Sequence, residues 1–218
     1  MKQSRIAAVV AAALGLGVSM HAAQAQEVYA GAGLFGVQLG YSHALNSSFN
    51  VRADYMTMGN IEKTNNQSGT DYKANIDLSR TALLADWFPF QGSFRLTTGV
   101  TFNQLKFNLM ANTSGQTVDI NGSPHTLVAG DSMNVQVKMP STTPYIGFGF
   151  GHQSTQKGWG FHSDIGVIIG SFSVTETRTG QLANVPQADV DKELADVRKS
   201  VSKLNVLPQV TLGVSYRF

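Results

Sequence analysis

From Pro208 to Phe218 the chain alternates without a break, with Pro208, Val210, Leu212, Val214, Tyr216 and Phe218 set against Gln209, Thr211, Gly213, Ser215 and Arg217. A period of two sends the two sets to opposite faces of a β-strand. A strand that is apolar on one face, polar or small on the other, and aromatic at its last residue fits a barrel wall with lipid outside and a polar interior. A half-buried strand in a soluble sandwich would alternate in the same way, so the rest of the chain has to decide between them.

The other end of the chain favours export. Lys2 and Arg5 give a positive start, Ile6 to Val18 is an apolar run broken only by small residues, and Ala23-Gln24-Ala25 has the small-x-small form of a signal-peptidase site. Cleavage is expected after Ala25, leaving 26–218 as one barrel domain. The apolar run is shorter than the about 20 residues a membrane helix needs, and no later stretch is longer. The whole sequence has 16 basic and 14 acidic residues, and two of the basic ones, Lys2 and Arg5, leave with the signal. The mature chain is therefore neutral and lacks the basic footprint that nucleic-acid binding requires. With no Cys it has no disulfide framework and no thiolate chemistry, and its 14% of charged residues is low against the about 25% of soluble domains.

Alternating segments recur along the chain. Tyr29, Phe35, Val37, Leu39 and Tyr41 read as the outer face of one strand, and Phe49, Val51, Ala53 and Tyr55 as that of a second. A third runs over 74–87 and a fourth over 94–109. Each changes phase once, as a β-bulge would make it do: even Ala74, Ile76 and Leu78 give way to odd Leu83, Ala85 and Trp87, and Phe102 gives way to Leu105. Residues 145–150 and 159–169 supply two more strands. Short turns near 46, 91 and 157 alternate with long segments near 59–72, 112–143 and 172–205, the asymmetry that sets periplasmic turns apart from external loops in such barrels. Tyr41, Trp87, Phe88, Phe90 and Phe94 lie beside the short turns, where an aromatic girdle belongs.

Ala85-Asp86-Trp87-Phe88-Pro89-Phe90, Pro144-Tyr145-Ile146-Gly147 and Ser215-Tyr216-Arg217-Phe218 complete a pattern that resembles the small Gram-negative outer-membrane β-barrels of the OmpA, OmpX and OmpW type. The resemblance implies an all-β, antiparallel, up-and-down transmembrane barrel, a porin-like cell-envelope protein. It also implies that Tyr216 and Phe218 form a signal read by the barrel-assembly machinery. Expected partners are outer-membrane lipids and lipopolysaccharide, with a monomeric state and no nucleic acid. Seven strands are evident and eight are expected. The eighth would be a piece around Glu27 to Gly33 split from the first strand, the Thr117 to Lys138 region, or Phe172 to Thr179.

The spacing of Val190, Leu194, Val197, Val201 and Leu204 predicts an amphipathic helix over 187–204 before the last strand, packed on the rim or over the mouth. Alternation sends Arg52, Asp54, Arg80, Asp86, Arg95, His162, Asp164 and Arg217 to the lumen, where opposite charges are tolerable only when paired. They read as a salt-bridge network filling a narrow barrel, or as a polar path for a small solute. For a lipid A-modifying enzyme, His152 and Ser154 have a workable spacing but lie at a short turn on the wrong side of the membrane. His162 and Ser163 point to opposite faces. The His spacing suggests no metal site and no cofactor. The expectation is therefore a non-enzymatic outer-membrane barrel that acts structurally or through its external loops, or else forms a narrow passive channel.

Overall fold

The computed structural model describes residues 26–218 apart from 68–69, 112–114, 116, 129 and 154–156, and of 63–67, 70–74, 109–111 and 118 the backbone alone. The expected signal segment lies outside the described residues. Among the described residues twelve strands form: β1 (Gln26–Gly33), β2 (Gly36–Ala44), β3 (Phe49–Gln67), β4 (Thr70–Trp87), β5 (Phe94–Ala111), β6 (Thr117–Ile120), β7 (Ser123–Thr126), β8 (Ser132–Lys138), β9 (Thr142–Phe150), β10 (Gly158–Ile169), β11 (Ser173–Thr179) and β12 (Val206–Arg217). Eight of them close an antiparallel barrel in the order β1, β2, β3, β4, β5, β9, β10, β12, with β12 returning to β1 from Glu27↔Arg217 to Gly33↔Thr211. The eighth wall strand is β1. The tight turn at Leu34-Phe35 splits it from β2, with Gly36 at φ +98° where a side chain would be strained.

That turn also corrects a face. Reading 29–41 as one strand put Tyr29 outside, but reversal at 34–35 resets the phase, and Tyr29 is buried in the lumen. The expected bulges in β4 and β5 are absent: their pairing runs in one register from Tyr72↔Ala111 to Trp87↔Leu96. Ile76, Leu78 and Leu105 keep the inward parity of Arg80, Asp86 and Arg95. Strand phase is constant, and what changes is the chemistry of the lumen, which becomes apolar toward the long-segment end. The one register shift in the β3/β4 pair falls between Thr57 and Gly59, directly above Val37↔Thr57, the last pair that joins β3 to β2. The bulge marks where β3 leaves the wall.

The long segments are more ordered than loops. Residues 59–67 and 70–72 continue β3 and β4 as paired antiparallel strands rather than forming a polar loop. β5 pairs with β9 over Phe94–Phe102 and then with β8 over Lys106–Ala111, while β11 adds to β8. A sheet of β3, β4, β5, β8 and β11 therefore rises beyond the rim. The segment 187–204 is two helices, α1 (Gln187–Glu193) and α2 (Ala195–Ser202), which meet at Leu194. Its apolar stripe divides accordingly, with Val190 and Leu194 buried and Val197 and Leu204 exposed. Val190 and Leu194 pack with Ile120, Leu127, Leu182 and Val185 into a second apolar core outside the barrel. Arg178 donates to the Leu182 and Val185 carbonyls and to Gln187 Oε1, pinning the chain between β11 and α1. Val190→Asp, which buries an unpaired carboxylate, is expected to free this cap. Limited proteolysis should then cut between 180 and 205 while the barrel fragment keeps its heat-modifiable migration.

Candidate functional site: the barrel lumen

Inward parity brings side chains from all eight wall strands to the axis. Arg52, Asp54, Arg80, Asp86, Arg95, His162, Asp164 and Arg217 are all buried there, and Arg95 has 0% exposure. At the centre, Arg52 Nε lies 2.6 Å from Asp86 Oδ2 and Arg52 Nη2 donates to Asp164 Oδ1 at 3.1 Å. Arg95 Nη2 donates to the same Asp164 oxygen at 2.9 Å, and its Nε is 3.7 Å from Asp86. Thr97 Oγ1 adds a hydrogen bond to Asp86 at 2.7 Å. Two arginines and two aspartates from β3, β4, β5 and β10 thus form a closed ring of charge across the lumen.

A second group sits beside the ring. Asp54 accepts from Arg80 Nη2 at 2.7 Å, from Gln38 Nε2 at 3.0 Å and from the Tyr29 hydroxyl at 3.2 Å, and Arg80 also donates to Gln209. A third lies toward the short-turn end, where Glu27 is paired with both Arg217 and His152. In the lumen four carboxylates (Glu27, Asp54, Asp86, Asp164) meet four guanidiniums (Arg52, Arg80, Arg95, Arg217), so the set is neutral. Pairing of this kind makes burial of charge tolerable in a low-dielectric interior.

Glycine makes the ring sterically possible. Gly149 is opposite Arg95 on one side and Asp164 on the other, and a Cβ there would collide with the Arg95 guanidinium. Above the charges, Leu78, Ala82, Leu84, Leu105, Met139, Tyr145 and Ile168 fill the lumen with apolar side chains. The interior therefore has two storeys, one ionic and one apolar.

Sequence parity missed Glu27, Tyr29 and His152, whereas Gln38, Thr97 and Gln209 stand on the polar faces that alternation turns inward. Recognising the two-residue turn before Gly36 would have recovered Glu27 and Tyr29, because they share odd parity with Gly31. His152 lies past the end of β9, at φ +61°, so no strand period predicts where it points. Its ring stands 4.7 Å from that of His162, and Tyr29 lies edge-on to both. Of the considered enzyme pair, His152 has a carboxylate partner in Glu27, while Ser154 lies outside the described residues.

On the outside, Leu39, Tyr41, Val51, Tyr55, Leu83, Val100, Ile146, Phe148, Ile165, Leu212 and Val214 are exposed around the wall. Near the short turns an aromatic ring of Phe49, Trp87, Phe90, Phe150, Trp159, Phe161, Tyr216 and Phe218 is exposed as well, with Trp159 at 79% and Phe161 at 84%. Trp159, Tyr216 and Phe218 meet edge to face in series, with centroids 5.2 and 5.3 Å apart. Phe88, expected in this girdle, is buried instead, because one residue past the end of β4 it continues the inward even parity of that strand.

No family model matches the sequence, and no curated protein matches it. Among solved structures, CarO2 of Acinetobacter baumannii is similar with a TM-score of 0.56 and 21% identity, covering 89% of this chain and 99% of that one. CarO of the same organism gives 0.52 and 20%, covering 88% and 97%. At this identity the likeness carries the fold, an eight-stranded closed barrel with helices before the last strand.

Proposed function

We propose that this protein is an integral outer-membrane barrel with a closed lumen, a structural or surface-interaction component of the Gram-negative envelope that acts through its folded external segment. The observation that carries the closed reading is the pair of storeys in the lumen: a hydrated ion would have to break the Arg52, Asp86, Arg95 and Asp164 ring and then cross the apolar layer around Leu78, Leu105 and Tyr145. Membrane placement is supported by the exposed apolar wall and its aromatic ring. A soluble protein exposes apolar patches of at most a few hundred Å², whereas a transmembrane barrel requires such a band all the way round.

In this reading the chain is exported with a signal peptide that is cleaved after Ala25, the barrel is monomeric, and lipids and lipopolysaccharide surround the wall. The short turns at Asn46, Gln91 and Lys157 face the periplasm, and the β6/β7 hairpin, β8, β11, α1 and α2 face outward. The alternative is a narrow passive channel, favoured by the lumenal charges alone. Purified protein in a planar bilayer should show almost no current, and well-resolved wild-type channels would replace the closed reading with the channel. Orientation has its own test, made clean by a chain without cysteine. Ser123→Cys, at the β6/β7 turn, should react with an impermeant maleimide in intact cells, and Ser47→Cys should react only after the outer membrane is permeabilised. The reverse pattern would invert the topology.

A further inference from the structure

We propose that His152, His162 and Asp164 form a binding site for a single divalent transition-metal cation of the zinc type, reached from the short-turn end of the lumen. The three residues are buried, and one donor atom from each lies within 4.8 Å of the others. Zinc bonds to imidazole nitrogen and carboxylate oxygen at about 2.0–2.2 Å, so a small inward movement of these side chains closes the set around an ion. Two imidazoles and one carboxylate suit a borderline cation such as Zn²⁺ or Co²⁺ better than Mg²⁺ or Ca²⁺, which prefer all-oxygen shells.

Three observations suit these residues to a cation. Among the described residues, His152 Nε2 and both ring nitrogens of His162 are buried without a hydrogen-bond partner, although buried polar groups of folded proteins are almost always satisfied. His152 Nδ1 is bonded to Glu27. A carboxylate on the far nitrogen is what orients a metal-bound imidazole and raises its basicity, and here it leaves Nε2 as the donor. Among the described residues Asp164 uses Oδ1 for Arg52 and Arg95, while Oδ2 accepts from Thr211 at 3.5 Å. Oδ2 is the less engaged oxygen and is the one placed to bind an ion.

Access comes from a pocket of about 150 Å³ at the short-turn end, lined by Glu27, Ser93, His152, Gln153, Ser215 and Arg217. Of the three proposed ligands, His152 lines this pocket. The sequence hides the site because the two histidines are ten residues apart and come together only across the turn between β9 and β10.

The test uses full-length mature protein refolded in detergent without an affinity tag, titrated with ZnCl₂ by calorimetry and with CoCl₂ by visible absorption. Wild type should bind one Zn²⁺ saturably, show a Co²⁺ d–d band, and unfold at a higher temperature with Zn²⁺ present. His162→Gln and His152→Gln should each weaken binding at least tenfold. Glu27→Gln should weaken it roughly 10- to 100-fold with the stoichiometry unchanged. His125→Gln, on the β6/β7 hairpin, should have no effect. Heat-modifiable migration checks that each variant is folded. Absence of saturable Zn²⁺ binding by folded wild type would overturn the site, as would binding that survives His152→Gln with His162→Gln in a folded double variant.

Discussion

Asp86→Ala is expected to lower the unfolding free energy of the folded barrel by about 3–5 kcal/mol while its conductance stays near zero. Asp86 takes Arg52 through both oxygens, approaches Arg95 and accepts from Thr97. Removing it leaves two buried guanidiniums sharing the single oxygen of Asp164 that they already use. The penalty is that of uncompensated charge, larger than the net worth of the pair itself. Asp86→Asn, which keeps an acceptor and loses the charge, should fall between alanine and wild type. Urea unfolding from lipid vesicles reads the first effect and planar-bilayer recording the second. A channel would give a different pair of results: Asp86→Ala would change ion selectivity with little loss of stability.

Leu83→Arg is expected to destabilise the lipid-inserted barrel by about 2–4 kcal/mol, the cost of a basic residue near the middle of a transmembrane barrel wall. Leu83 is 51% exposed, pairs with Ala53 and Val100, and lies four residues up β4 from Trp87 in the aromatic ring. The sign carries the information. On a water-exposed surface the same change would stay within about ±0.5 kcal/mol, so a near-zero effect in vesicles would count against the membrane reading even though the fold is a barrel. The loss should be smaller at Phe90, whose position by the short turn places it near the interface.

Period-two alternation fixed the parity of most wall strands, and parity alone put Arg52, Asp54, Arg80, Asp86, Arg95, His162, Asp164 and Arg217 on the buried side. It failed where it was combined with the assumption that inward means polar. Ile76, Leu78 and Leu105 look like a change of phase only if the lumen is polar throughout, and it is not. It also failed at reversals. The Leu34-Phe35 turn carries no Asn-Gly or Pro, so β1 and β2 read as one strand and Tyr29 was sent outside. The external core of Ile120, Leu127, Leu182, Val185, Val190 and Leu194 draws single residues from separate segments. No local period encodes such a contact, and only the stripe containing Val190 and Leu194 hinted at it. The His152, His162 and Asp164 cluster is illegible for the same reason, since it depends on a turn conformation that a repeat pattern does not register.

The first and last strands of the wall meet along seven pairs, and the amide of Phe218 donates to the carbonyl of Gln26 at 3.0 Å. The two ends of the wall are thus next-door neighbours, and the Glu27 to Arg217 ion pair sits across the seam between them. A ring of eight antiparallel strands has no privileged starting point, so the break is a property of synthesis rather than of the wall. A short peptide joining 218 to 26, with new ends opened at the Leu34-Phe35 reversal, would trace the same cylinder. It would also carry Tyr216 and Phe218 into the interior of the sequence, which separates what the finished wall requires from the expectation that these two residues act as a terminal assembly signal.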